Sequence, residues 1–403
     1  MKILIYLTIF ISLYFVYGIY LSQSNLLVIP STVEPENPAG YYDYKGIINV
    51  HSDRSTGSEP PQQIISAASS VGADFVVFTD NNQFESARPI SNYYDNTLVM
   101  FENEYSFLDS RILTLTTNSD LNFTSGSESS VKLTDLLSQN STDNPNSLLI
   151  LSHPFNRDLT WTGPFPTGFD GLEVINPKAI SQRSWQKSKL NIIWTLFAYP
   201  FNSRVSFLRM IVEPRDELAL LDTISQQRRV LAFAGADATA RAIPFSNFLV
   251  KFPSYQKSLA IASNHVLLTS ELTGNFQKDR QKLVTAMKAG NFFISLDLLG
   301  DPKGFVSYLE NQKGEKYLMG TSLKFQKKLS LKAKLAVVPK AFFEIVVFKN
   351  GENVFLTNKP ELEYQITEPG VYRVTVRVSP ALPFPDGKKW ITWIYTNPFW
   401  VSP

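Results

Sequence analysis

From Gly46 to Asn82 the chain runs GIINVHSDRSTGSEPPQQIISAASSVGADFVVFTDNN, and no other stretch restricts the fold so much. Ile47, Ile48 and Val50 make a short apolar run that stops at His51, and a polar Ser-Asp-Arg-Ser-Thr-Gly loop follows. Pro60 and Pro61 open a helical pattern (Ile64, Ile65, Ala67, Ala68, Val71) that ends at Gly72, before the apolar strand Phe75–Phe78 delivers Asp80. The order strand, loop, helix, strand predicts a β/α unit with polar side chains at the C-terminal ends of both strands. Ligands and catalytic groups collect at that edge in β/α folds. The same ending recurs downstream: Leu98–Phe101 runs into Glu102-Asn103-Glu104, Leu148–Leu151 into Ser152-His153-Pro154, Gly171–Ile175 into Asn176, and Arg229–Phe233 into Gly235-Ala236-Asp237.

A chain of 403 residues is long for one domain, so two globular parts behind a leader are expected. The formal charge of +2 argues against a nucleic-acid binder that works through a broad basic field. With no cysteine, disulfides, thiolate metal sites and cysteine nucleophiles are excluded, and with three histidines any metal site must lean on carboxylates. Ile3–Leu21 is uncharged and long enough to span a bilayer. A cleaved signal peptide is the rival reading, but Tyr17-Gly18-Ile19-Tyr20-Leu21 makes a poor cleavage site, so an uncleaved anchor over 1–21 is favoured. Lys2 on the short side puts the body on the far face of the membrane, in a bacterial periplasm or at the cell surface. Residues 22–40 read as a tether that lifts the body off the membrane.

The body is expected over 41–300. Asn118 to Asn146 reads as a surface excursion around a short helix near Val131–Leu137. Leu190–Ile211 is apolar, but Pro200, Arg204 and Arg209 interrupt it, which favours a helical hairpin packed on the body over a second span; a surface dipping into the membrane is the weaker alternative. A helix over Lys278–Ala289 ends at Gly290 and the strand Phe292–Ser295 follows. Over 301–403 the pattern becomes period-two alternation broken by turns at Lys349-Asn350-Gly351 and Glu368-Pro369-Gly370, as in a small antiparallel β-sandwich whose lysines form a solvated strand face.

The polar residues that terminate apolar strands are His51, Asp80, Glu104, His153 and Asp237. Two imidazoles and several carboxylates at one rim would suit zinc, manganese or iron, with a water of lowered pKa as nucleophile. The third histidine, His265, begins an apolar strand and reads as structural or superficial. Arg54, Arg157 and Arg241 stand beside the strand-end residues and could orient an anionic substrate.

In order, these motifs resemble those of the polymerase and histidinol phosphatase (PHP) superfamily, metal-dependent phosphoesterases on a distorted (β/α)7 barrel. The family's His-x-His-(Thr/Ser)-x-x-Ser-Asp-Gly is met by Asn49-Val50-His51-Ser52-Asp53-Arg54-Ser55-Thr56-Gly57, and its Thr-Asp-His by Thr79-Asp80-Asn81. Its bridging Glu is met by Glu104, its His-Pro by His153-Pro154, and its Gly-x-Asp-Ala-His by Gly235-Ala236-Asp237-Ala238-Thr239. Ala286-Met-Lys-Ala-Gly290 and the ending Trp393-Ile-Tyr-Thr-Asn-Pro398 resemble the exported CehA/McbA-type branch, which carries a C-terminal β domain.

By that resemblance His51, Glu104, His153 and Asp237 hold one or two divalent ions. Asp80 supports them, Arg54 meets the anion, and Asn49 occupies a ligand position. Asn49, Asn81 and Thr239 replace histidines and Thr56 replaces an aspartate, and neutral oxygens are poorer ligands for a transition metal than imidazole, so a third metal position is expected to be lost. Two functions follow. One is a membrane-tethered hydrolase with a reduced metal site that acts on an anionic or ester small molecule. The other is an impaired enzyme retained as an envelope binding or scaffolding module. No nucleic-acid partner is expected, and the sequence names no protein partner.

Overall fold

The computed structural model describes residues 1–30, 40–83, 88–107, 110–116, 126–140, 147–156, 161, 165–245 and 248–403. Helix α1 (Lys2–Ser22) is long and apolar enough to cross a membrane, and signal sequences share that property. Strand β1 (Tyr42–Val50) is buried from Lys45 onward, and helix α2 (Pro61–Ser70) leads to the fully buried β2 (Phe75–Phe78). A strand covered on both faces needs no alternation, which is why both read as continuous apolar runs. Gly46 is required where they meet, because a Cβ there would stand 1.8 Å from the Phe75 ring.

The ring continues through a short hairpin, β3 (Asn92–Tyr94) and β4 (Thr97–Phe101). Strand β5 (Asn103–Phe107) prolongs β4 after a bend at Glu102, and the bent pair follows β2 throughout, first in register Phe75↔Leu98 to Phe78↔Phe101 and then through a parallel bridge Asn81↔Glu104. Next come β6 (Ser110–Thr116), antiparallel to both its neighbours, helix α3 (Gly126–Gln139), then β7 (Ser147–Leu151) and β8 (Gly171–Ile175). Helices α4 (Pro177–Lys187), α5 (Lys189–Ala198), α6 (Ser203–Met210) and α7 (Arg215–Ser225) lead to β9 (Leu231–Ala238). Strand β9 pairs in parallel with β8 and with β1, which closes the ring. The expected hairpin is therefore the pair α5 and α6. Of the expected surface excursion, 118–125 and 141–146 lie outside the described residues.

After a β-hairpin of β10 (Arg241–Phe245) and β11 (Phe248–Phe252) and helix α8 (Tyr255–Leu259), strand β12 (Ser263–Leu268) pairs with β1, and β13 (Phe292–Ser295) pairs with β12. Between them lies α9 (Phe276–Ala289), capped by Gly290 at φ 75°. Most of the C-terminal strands form two largely antiparallel sheets that bury one core, in which Leu331 and Leu362 pack with Ile345, Val374 and Val376; Ser322–Lys324 and Phe399–Ser402 pair in parallel. One of the sheets is continuous with the ring, since Phe293 pairs with Thr396 and Ile294 with Tyr395.

One expectation is corrected here. The tether expected over 22–40 is docked at its start: Leu26, Val28 and Ile29 are buried, and Val28 exchanges backbone hydrogen bonds with Leu299 (2.8 Å) and Lys340 (2.7 Å). Those apolar side chains gain more from the body's core than from solvent. The lysines of the alternating strands do lie toward solvent, as Lys332 and Lys334 do, whereas strand 370–379 carries arginines and is buried along most of its length, with Asp222 of α7 accepting two 2.8 Å hydrogen bonds from Arg373.

Candidate active site

The ring brings its polar strand ends together. A cavity of about 390 Å3 is lined by His51, Thr56, Asn81, Glu104, Arg111, His153, Lys178, Asp237 and Thr239. Asn49, His153 and Asp237 turn the backbone sharply at this rim, with φ of 61°, 26° and 41°. Side-chain-bearing residues rarely occupy that left-handed region, at a cost of about 1–3 kcal/mol each, and such strain clusters where a site must be aimed.

Within the cavity the acids and imidazoles form a line. His51 Nε2 stands 4.0 Å from Asp237 Oδ1 and 3.5 Å from Glu104 Oε2, and His153 Nε2 stands 3.4 Å from Glu104 Oε1. All four side chains are buried. Burial opposes the charge on Glu104, but His153, His51 and Arg111 outweigh it and draw the carboxyl down to about 2. For His153 burial disfavours the imidazolium, and Glu104, Asp237 and Glu173 raise its pKa above the ordinary value nonetheless. Lys178 on α4 brings its Nζ to 3.7 Å from Asp237 Oδ2.

Around a tetrahedral ion with bonds near 2.1 Å, ligand atoms stand about 3.4 Å apart. The pairs His51–Glu104 and His153–Glu104 meet that spacing, and the buried oxygens Glu104 Oε1 and Asn81 Oδ1 have no hydrogen-bond partner. Among the described residues no three acid or imidazole side chains meet at a single point. The donors therefore fit a divalent cation pair by pair along the line, not as a closed cluster.

Beneath the line lies Glu173, buried in β8. Its Oε1 accepts from Asn49 Nδ2 at 2.6 Å, and its Oε2 accepts from the His153 backbone N–H (2.8 Å), Asn176 Nδ2 (3.0 Å) and Ser152 Oγ (3.1 Å). Burial raises its carboxyl above the usual range, although His153 and Asn49 pull the other way. Gly235 on β9 leaves the room, since a Cβ there would stand 1.6 Å from Glu173 Oε1. Asn176 serves twice, because its Oδ1 also caps α4 by accepting from Lys178 N and Ala179 N at 3.1 Å.

The structure thus gathers His51, Glu104, His153 and Asp237. It places the other sequence candidates elsewhere. Asn49 is fully buried behind the cavity, where its Oδ1 accepts from Thr79 Oγ1 at 3.3 Å and its Nδ2 is committed to Glu173. Asp80 spends its carboxylate on the first loop, accepting from Ser52 N (2.7 Å), Ser52 Oγ (2.7 Å) and Ser55 Oγ (2.5 Å). That makes Asp80 the holder of the loop that begins at His51. Arg54 is exposed on that loop and does not line the cavity. Arg157 and the side chain of Arg241 lie outside the described residues. Glu102 faces away and pairs with Arg280 of α9 at 2.5 Å.

Sequence reading missed Glu173, Arg111 and Lys178 as site residues. Glu173 carried a signal, a lone carboxylate inside the apolar run Gly-Leu-Glu-Val-Ile. Arg111 and Lys178 carried none, because each sits at the edge of an ordinary-looking element. His265 is structural: its Nδ1 lies 2.8 Å from Asp43 Oδ1 and its ring stacks on Phe293.

No family model matches the chain, and no curated protein matches it. Solved structures that align with it include a two-domain protein from Bacteroides vulgatus containing a predicted PHP-like metal-dependent phosphoesterase, at 12% identity and a TM-score of 0.41, covering 90% of this chain and 99% of that one. PsfC from Pseudomonas syringae aligns at 11% identity and a TM-score of 0.33, covering 61% of this chain and 96% of its own. At these TM-scores neither likeness bears on fold or function.

Proposed function

We propose that the chain is a membrane-anchored hydrolase of the PHP superfamily, of the exported CehA/McbA type, that cleaves phosphoester or related ester bonds with one divalent ion. The observation that carries this reading is the buried line Asp237, His51, Glu104, His153 in a polar cavity at the strand ends. His51 and Glu104 would hold zinc, manganese or iron, with Asp237 the next carboxylate along the line and Glu104 and His153 directed to any second position. Such an ion, when bound, supplies Lewis acidity toward a phosphoryl oxygen and toward water.

The protein's own groups do the rest. Lys178 and Arg111, both lining the cavity, offer positive charge to the substrate anion. Glu173 fixes the His153 backbone and Asp80 fixes the His51 loop, so both imidazoles keep their aim. In the net reaction the oxygen of water bonds to phosphorus, the ester P–O bond breaks, and the alcohol leaves with a proton. The test is metal content of the detergent-solubilised full chain beside a His51→Ala, Asp237→Ala double variant, followed by hydrolysis of phosphomonoester and phosphodiester panels. About one ion per chain, lost in the variant together with turnover, is expected. No bound ion and no difference between the two proteins would refute the hydrolase.

A further inference from the structure

Beside the polar cavity lies a second one of about 420 Å3, and the two share Lys178, Asp237 and Thr239 as walls. Its other walls are chiefly apolar: Ile180 of α4, Ile192 and Leu196 of α5, Phe207 and Ile211 around α6, and Ile261. Walls of this kind favour an apolar chain, whose burial there is worth about 0.8 kcal/mol per methylene. Leu196 marks the outer end, at 50% exposed, and the next residue is in contact with α1: Tyr14 Oη donates to the Phe197 carbonyl at 3.0 Å.

The α1 contacts set the depth of that opening. Trp194 Nε1 donates to Tyr17 Oη at 3.2 Å, Gly18 abuts the Phe201 ring, and Asn202 Nδ2 donates to the Leu21 carbonyl at 2.9 Å. A helix of 21 residues is about as long as the hydrocarbon core is thick, so elements bound to its last two turns sit at or below headgroup level. The outer face of α5 suits that position, with Leu190, Ile193 and Phe197 all at least 45% exposed.

We propose that this second cavity is a tail-binding site open to the bilayer, and that the substrate is a membrane lipid phosphoester whose acyl chain enters past Leu196 while its phosphate lies between Lys178 and Arg111. The substrate class rests on the hydrolase reading; the tail site does not. It explains why one carboxylate, Asp237, stands at the wall between a polar and an apolar compartment. The phosphoester bond of an amphiphile held in this way falls at that wall.

The test uses the full chain in phosphatidylcholine vesicles that contain phosphatidic acid with a diazirine near the end of one acyl chain. After photolysis, deep adducts are expected on the buried lining residues Ile180, Phe207 and Ile261, together with adducts on α1. Ile192→Glu should abolish the deep adducts and leave those on α1. Ile193→Glu, on the outer face of α5, should leave the deep adducts in place. Adducts confined to α1 and the outer face of α5, or deep adducts that survive Ile192→Glu, would overturn the tail site while leaving the hydrolase reading intact. Deep adducts on a protein that binds no metal would uphold the tail site and overturn the hydrolase.

Discussion

Replacing Glu173 by methionine removes the acceptor beneath the site while nearly keeping side-chain length. Four donors now end on its carboxylate: Asn49 Nδ2, Ser152 Oγ, the His153 N–H and Asn176 Nδ2. Asn49 can fall back on Ser152 Oγ, already 3.4 Å away, and Asn176 on Asp237 Oδ2 at 3.5 Å. That leaves the His153 N–H and the Ser152 hydroxyl without acceptors in a buried place. An orphaned buried donor costs about 1–3 kcal/mol, so Glu173→Met should lose roughly 2–6 kcal/mol. At about 2 °C per kcal/mol for a chain of this size, the melting temperature should fall by roughly 4–12 °C.

Glu173→Gln is the control that isolates hydrogen bonding from packing. Its carbonyl can replace Oε2, and its NH2 then faces Asn49, whose amide can turn to present Oδ1 and give Nδ2 to the Thr79 hydroxyl. The cost should be about 1 kcal/mol. Thermal unfolding of the solubilised full chain, followed by circular dichroism, measures both. Metal titration should show the methionine variant binding roughly 10–100-fold more weakly, because the backbone that aims His153 is released. Equal losses for Met and Gln, or a methionine variant within about 1 °C of the parent, would refute the role assigned to Glu173.

Gly235→Ala pushes a methyl into the same carboxylate and should cost about 1–3 kcal/mol; Glu173→Asp in that background should recover part of it, and additive losses in chemical denaturation would count against the close contact. Asn49→His, which introduces the histidine of the PHP pattern, should lower stability without tightening metal binding, since position 49 is fully buried and faces Glu173; isothermal titration with zinc decides. For His265, burial disfavours the imidazolium, but Asp43 and Asp301 dominate and raise it to about 9. A folded-state value above the ordinary 6.5 means the folded chain holds the extra proton, so the stabilisation is complete below pH 6.5 and vanishes as pH rises through 9. The parent should lose about 3 kcal/mol between those limits, and His265→Phe, which keeps the stack on Phe293, should be flat over the same range; parallel denaturation curves would remove the ion pair from the explanation.

What could be read from the sequence, and what could not, divides along a physical line. Strand runs such as Phe75–Phe78 and Phe292–Ser295 were legible because burial on both faces demands uninterrupted apolar residues, and the residue that ends such a run is placed by the strand itself. His51, Glu104, His153 and Asp237 were found in this way, and they do share one cavity. Side chains whose role depends on direction rather than position were not legible. Asn49 lies in β1, two residues before His51, yet its φ of 61° and its hold on Glu173 keep it behind the cavity. Asp80 ends a strand as expected, but three donors from the first loop consume it. The substitution of Asn49 therefore need not be read as decay of a metal site. An asparagine satisfies Glu173 and Thr79 at once, with a donor for one and an acceptor for the other, and a neutral histidine offers the same pair only at a fixed ring spacing. The four positions that depart from the PHP pattern then differ in kind: Asn49 is fully buried and bonded to Glu173, whereas Thr56, Asn81 and Thr239 line the cavity. A cavity that mixes two imidazoles and two carboxylates with these neutral oxygens suits a single ion with open positions, and two of its lining residues, Asp237 and Thr239, are shared with the apolar compartment.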